Sequence, residues 1–85
     1  MLPLPPEADA TLDAGVTACG DLIQLIIRQI KTLHPQQVLH VVGYDPGAAQ
    51  DVPAWCRMTQ NTLLYQSISE TASQPSHFYI QKKGE

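Results

Sequence analysis

The chain has 85 residues, of which 44% are apolar and 15% charged, and its formal net charge is -3. This length leaves room for one small domain, and the composition indicates a packed core. An acidic balance is the opposite of what phosphate neutralisation requires, so direct nucleic-acid binding is not expected. No run approaches the roughly 20 apolar residues of a membrane span, and no signal peptide is recognisable, so a cytoplasmic protein is expected.

The beginning of the chain predicts a leader followed by a strand. Residues 1–9 are rich in proline and acidic side chains, which predicts a disordered leader before a single domain over residues 10–83. Ala10–Asp13 predicts a short strand, and Gly15 predicts a turn toward Cys19. Cys19 is therefore expected where a strand has ended and a helix begins.

Residues from Gly20 to Leu33 predict an amphipathic helix. Leu25 lies outside its apolar stripe and is predicted to be an exposed contact. Pro35 cannot continue a helix and is expected to end this one. The apolar positions that share one face are Leu22, Ile23, Ile26, Ile27, Ile30 and Leu33.

The middle of the chain predicts a second strand and a second helix. Val38–Val42 reads as a short apolar strand, and a helix of about a dozen residues is expected from Ala48. Asp51 is predicted as the N-cap, which would place Pro53 in the first turn, where its absent N–H costs little. The predicted buried face consists of Val52, Trp55, Cys56 and Thr59.

The last third of the chain predicts two strands, Thr62–Ser69 and Ser76–Lys82. In the second of these, Phe78 and Ile80 alternate with His77, Tyr79 and Gln81, which favours a sheet that is buried on one face and wet on the other. The predicted order is βαβαββ. This order predicts an α/β (α+β) two-layer sandwich with two helices on one face of a mixed four-stranded sheet.

Several short motifs together resemble the TusA/SirA family of small sulfur carriers, over about Thr11 to Lys83. The family's Cys-Pro-x-Pro motif reads here as Cys19-Gly20-Asp21-Leu22, so both prolines are missing. The other segments that carry the resemblance are Thr11-Leu12-Asp13-Ala14, Leu22-Ile23, Asp45-Pro46 and Asp51-Val52-Pro53-Ala54-Trp55-Cys56.

The resemblance implies a sulfur relay with Cys19 as the persulfide-carrying residue. It implies a cysteine desulfurase or rhodanese-like enzyme as the donor and a DsrE-type protein as the acceptor. The pathways it implies are tRNA thiolation, molybdenum-cofactor synthesis or sulfur oxidation. Such a protein is a sulfurtransferase-like carrier rather than a stand-alone enzyme.

The residues near Cys19 predict only modest activation of its thiol. A helix N-terminus stabilises an anion by roughly 0.3 to 1 kcal/mol, whereas the Asp21 carboxylate opposes ionisation of the thiol. Gly20 in place of the first motif proline frays the helix start and loosens the position of the sulfur. Asp45 and Asp51 are predicted to support a turn and a helix cap rather than to form an acid/base pair.

The remaining cysteine and the histidines favour structural roles. Cys56 lies on the apolar face of the second helix and is predicted to be a core residue. The cysteines and His34, His40 and His77 lack metal-ligand spacing, so no metal or cofactor is expected.

Two alternatives to the relay remain open. The first is a non-catalytic TusA-like module that binds partners through Leu25 or the His77/Tyr79 face. The second is a dithiol switch between Cys19 and Cys56, which requires Cα atoms within about 7 Å of each other. The sequence leaves the oligomeric state open.

Overall fold

The computed structural model of the protein describes residues 7–15, 19–45, 47–69 and 73–84, and for Cys19 and Gly20 it describes the backbone alone. The predicted order βαβαββ is confirmed. The leader is predicted to be disordered, and its residues 1–6 lie outside the described residues. The elements are β1 (Ala10–Gly15), α1 (Cys19–Ile30), β2 (Val38–Gly43), α2 (Ala48–Thr59), β3 (Thr62–Ser67) and β4 (Ser76–Gln81).

The four strands form one mixed sheet in the order β1-β2-β4-β3. β1 pairs parallel with β2, and the other two pairings are antiparallel. The parallel pair is joined through α1, since a parallel connection has to cross over between the ends of the two strands. α1 packs on β1 and β2, α2 packs on β3 and β4, and the helices contact each other. The predicted two-layer sandwich is confirmed.

The core lies between the helices and one face of the sheet. Leu39 and Val41 of β2 alternate with outward-facing positions, as do Phe78 and Ile80 of β4, and all four are 0% exposed. The rest of the core comes from the helices and β1. It contains Ala14, Leu22, Ile26, Ile30, Ala48, Val52, Trp55 and Cys56.

α1 differs from its prediction in two respects. It ends at Ile30 rather than at Leu33, because the N–H groups of Thr32 and Leu33 bond to the carbonyls of Gln29 and Ile30 in a tighter turn. The prediction that Leu25 is an exposed contact is wrong. Its side chain is half-buried and packs against the core, because the contact surface of α1 is wider than the apolar stripe.

α2 begins at Ala48 and has 12 residues, as predicted, but the assignment of Asp51 as its N-cap is wrong. The N-cap is Gly47, with φ -67° and ψ -21°, and Asp51 lies within the first turn of α2. The cause is the preceding turn, in which the Asp45 carbonyl accepts the Ala48 N–H at 3.0 Å. Pro53 consequently lies inside the helix rather than at its start.

The antiparallel strands β3 and β4 are shorter than predicted. β3 ends at Ser67 instead of Ser69, and the Ser69 N–H donates to the Ser76 hydroxyl at 2.9 Å rather than to a strand partner. Their ladder is also irregular, with a register shift between Leu63 and Tyr65 that leaves Leu64 as the extra residue of a bulge.

Candidate functional site

Both helices begin at the same edge of the sheet. β1 and β2 run parallel and end there with Gly15 opposite Gly43. The chain enters α1 at Cys19 shortly after β1, and α2 at Ala48 shortly after β2. Two helix N-termini therefore meet one edge, where their dipoles favour negative charge.

Gly15 sets the direction in which the chain leaves β1. Its φ is +56°, in the left-handed region that glycine adopts without steric cost. The Gly15 N–H donates to the Asp13 carboxylate at 3.0 Å, and its carbonyl accepts the Tyr44 N–H at 3.0 Å. These bonds hold the C-terminal end of β1 beside that of β2. They fix the direction of the backbone as far as Gly15.

The first turn of α1 is anchored from below by Leu22. Its side chain is 0% exposed, and a Cβ on Gly43 would meet its Cδ2 atom at 3.6 Å. Asp21 is exposed on the same turn. Cys19 is the first residue of α1, and the structure describes its backbone alone. The predicted exposure of its thiol and the predicted loosening of the sulfur by Gly20 therefore stay predictions.

Asp45 and Asp51 lie at the same edge in different roles. The Asp45 carboxylate accepts the Gly47 N–H at 3.0 Å and so shapes the turn before α2. Asp51 is exposed in the first turn of α2, where its negative charge complements the helix dipole. The structure thus brings these two carboxylates to the edge where Cys19 begins α1 and gives Asp45 a turn-shaping role.

Cys56 is a core residue, as predicted. It is a free thiol, 2% exposed, and burial raises its pKa to about 11. A thiol with this pKa is almost entirely protonated at neutral pH and is a poor nucleophile. The neighbouring Trp55 is also buried, at 9% exposed. The chemistry of Cys56 therefore favours packing over a resolving role in a dithiol switch.

A comparison with protein families identifies the chain. A family model described as sulfurtransferase TusA matches residues 10–82, from β1 to just beyond β4. The chain belongs to the TusA family. TusA proteins are sulfur carriers that interact with sulfur donors and acceptors, and this chain departs from the TusA motif at Gly20 and Leu22.

The open face of the sheet carries an aromatic and imidazole cluster, His40, Tyr65, Ser67, His77 and Tyr79, which lines a cavity of about 250 Å³. His40 Nε2 and His77 Nδ1 are 2.9 Å apart and share a hydrogen bond. The His40 ring stacks on Tyr79 at 4.3 Å between centroids, and Tyr65 meets Tyr79 edge-on at 5.8 Å. Burial, and secondarily the charge of His77, lower the pKa of His40.

Only part of this cluster is predictable from the sequence. Alternation in β4 placed His77 and Tyr79 on the open face, as the structure confirms. His40 is an isolated histidine in the sequence, because the pairing of β2 with β4 is not visible there. The signal that could have found it is the alternation of His40 with Leu39 and Val41 in β2.

Two further observations concern metals and membranes. Among residues 7–15, 19–45, 47–69 and 73–84, no three His, Cys, Asp or Glu side chains are grouped to hold a metal ion. Within the same ranges, neither helix has the length and apolar character that crossing a bilayer requires.

Proposed function

We propose that this TusA-family chain carries persulfide sulfur on Cys19 between a donor enzyme and an acceptor protein in the cytoplasm. The observation that supports this most directly is the family match together with the position of Cys19 as the first residue of α1. The converging N-termini of α1 and α2 favour the thiolate that sulfur transfer requires.

The transfer consists of two thiol exchanges. The Cys19 thiolate attacks the terminal sulfur of the donor's persulfide, a new S–S bond forms, and the donor's thiolate leaves as the old S–S bond breaks. An acceptor thiolate then attacks the terminal sulfur held on Cys19, and Cys19 leaves as a thiolate. No net oxidation occurs in either step. The donor is a cysteine desulfurase or rhodanese-like enzyme, and the acceptor is a DsrE-type protein serving tRNA thiolation, molybdenum-cofactor synthesis or sulfur oxidation.

Intact mass spectrometry tests this proposal. The protein is incubated with a cysteine desulfurase and cysteine, and we expect a gain of one sulfur atom in the wild type. Cys56→Ser is the matched control and should gain the same mass, because Cys56 is buried with a raised pKa. Cys19→Ser should gain none. An unloaded wild type, or equal loading of Cys19→Ser, would refute the relay.

A second candidate function is a non-catalytic TusA module, favoured by the loss of both motif prolines at Gly20 and Leu22. The variant Gly20→Pro separates the two functions, since proline is compatible with the first turn of a helix and stiffens it. A relay should load in the wild type and at least as well in Gly20→Pro. A module that has lost transfer should stay unloaded as wild type and bind its partner equally well as Cys19→Ser in a pull-down.

A further inference from the structure

His40 and His77 meet on the open face of the sheet, the face that α1 and α2 leave uncovered. His40 lies opposite Tyr79, and His77 precedes Tyr79 by two residues on β4, so the histidines are diagonal neighbours. Nε2 of His40 and Nδ1 of His77 are 2.9 Å apart. Both side chains are half-buried and line the cavity of about 250 Å³, so protons from solvent can reach the pair.

The distance between these two nitrogens limits the number of protons that the pair can hold. At 2.9 Å they form an N–H···N bond only if one nitrogen donates and the other accepts. A neutral pair meets this condition. A pair with one extra proton meets it too, because the ring that is still neutral has a nitrogen that accepts. When both rings are imidazolium ions, both facing nitrogens carry hydrogen and neither can accept.

The surroundings of the pair decide which ring receives the second proton. The titratable groups that face the pair from the neighbouring strands are Asp9 and Asp13 at β1, Tyr65 of β3 and Tyr79 of β4. The Asp9 carboxylate accepts the Val38 N–H at 2.7 Å, and the Asp13 carboxylate accepts the Gly15 N–H at 3.0 Å. Burial, and secondarily the charge of His77, lower the pKa of His40, so the second proton goes to His40.

We propose that the His40–His77 pair is a proton-driven switch that opens the cavity on the open face. With at most one extra proton, the hydrogen bond holds His77 against His40. A second proton from solvent removes the acceptor and places two like charges side by side, so the rings separate.

His77 is the ring that moves. The His40 ring stacks on Tyr79, at 4.3 Å between centroids and 6° between planes, and an aromatic face attracts a cation. His40 therefore keeps its place, and His77 turns toward solvent. Because His77 forms part of the cavity wall, its departure widens the cavity beside Ser67. The switch does not use Cys19, so either this proposal or the sulfur-carrier proposal can fail without the other.

NMR of the whole chain labelled with ¹⁵N tests the switch. Near neutral pH, the bond should give a scalar coupling between His40 Nε2 and His77 Nδ1. Titration to about pH 4 should show two protonation steps. The coupling should persist through the first step and be lost in the second, which lies below pH 6.5. In that second step, a soluble paramagnetic probe should begin to broaden the ring signals of Tyr79.

His34→Gln is the matched control, because His34 is an exposed histidine outside the pair. It should leave both steps and the coupling unchanged. His77→Gln should give His40 a single titration step and remove the pH-dependent change at Tyr79. Circular dichroism verifies that each chain stays folded across the titration.

Three results would overturn the switch. The first is a coupling that is absent at neutral pH or survives both steps. The second is a pH-dependent change at Tyr79 that persists in His77→Gln. The third is unfolding of the wild type before the second step, because the chain would then have no folded open state.

Discussion

The same strands build both faces of the sheet, but the two faces differ in burial and in the residue types that they carry. In β4, Phe78 and Ile80 are fully buried beneath the helices, whereas His77 and Tyr79, one residue away, stay half-exposed on the open face. One face therefore holds most of the folding free energy, and the other keeps polar, titratable groups available to solvent. Strand alternation alone separates the buried positions that stabilise the fold from the solvent-accessible positions of the open face.

The largest test of this difference replaces one aromatic residue on each face. Phe78→Ala should lower the free energy of unfolding by about 3 to 5 kcal/mol, because it leaves a cavity in a fully buried site. Tyr79→Ala removes a half-exposed ring and should cost about 1 kcal/mol. Urea titration monitored by circular dichroism measures both. Equal losses for the two variants would contradict the assignment of stability to the covered face.

The reactivity of Cys56 probes the covered side in another way. In Cys19→Ser, where Cys56 is the remaining thiol, alkylation by iodoacetamide at pH 7 should be about 100-fold slower than for an ordinary thiol. The reason is that burial raises the pKa of Cys56 to about 11 from a usual 9.0, so its thiolate fraction falls in proportion. The rate should rise about tenfold per pH unit.

Mass spectrometry follows the alkylation, with the urea-unfolded variant as the control. Native and unfolded chains that react at the same rate would show that Cys56 is not protected by the fold.

Gly15 and Gly43, at the edge where the two helices begin, test whether backbone conformation or packing limits the residue that each position accepts. Gly15→Ala should cost about 1 to 2 kcal/mol, because alanine is strained at a φ of +56° although nothing lies within 4 Å of the added Cβ. Gly43→Ala is the matched control, since its Cβ would make ordinary van der Waals contact with Leu22 at 3.6 Å. Thermal and urea unfolding should show a change within about 0.5 kcal/mol for this control. A larger cost at Gly43 would reverse the interpretation.

The smallest effect concerns protonation on the open face. His40 should titrate below its usual 6.5 in an NMR experiment. His77→Gln should move the His40 pKa part of the way back, because the charge of His77 is removed while burial, the larger cause, remains.

The lowered pKa of His40 also fixes the direction of a pH effect on stability. Below pH 6.5 the unfolded chain binds this proton more readily than the folded one. The contribution of His40 is therefore intact above pH 6.5 and is lost as the pH falls toward the lowered value. Unfolding at pH 5 should be easier than at pH 7.5, with a smaller difference in His40→Gln. An upward shift of the His40 titration would contradict this.

The sequence predicted the fold well where periodicity was strong. The apolar stripe of α1 and the alternation in β4 gave the correct element types, order and layers. Element ends were less accurate, because they depend on single hydrogen bonds such as the one from the Ala48 N–H to the Asp45 carbonyl. A pattern of residue types does not show which of several turns forms before a helix. The sequence therefore predicts Asp51 as the N-cap of α2, whereas the observed N-cap is Gly47.

The candidate site was predictable in part for a related reason. A cysteine between a strand and a helix indicates a helix-start position, and α1 does begin at Cys19. The exposure and reactivity of that thiol remain predictions. The pairing of His40 with His77 depends on the contact of β2 with β4, which are far apart in the chain, and no local pattern encodes such a register.

The bulge at Leu64 has a consequence for how this protein avoids uncontrolled aggregation. β3 is an outer strand with no charged residue between Thr62 and Ser67, the kind of edge that can recruit further strands into ribbons. The extra residue breaks the regular spacing of free N–H and C=O groups along this edge, so an incoming strand cannot form a continuous ladder. Lateral growth into filaments through this strand is thereby disfavoured.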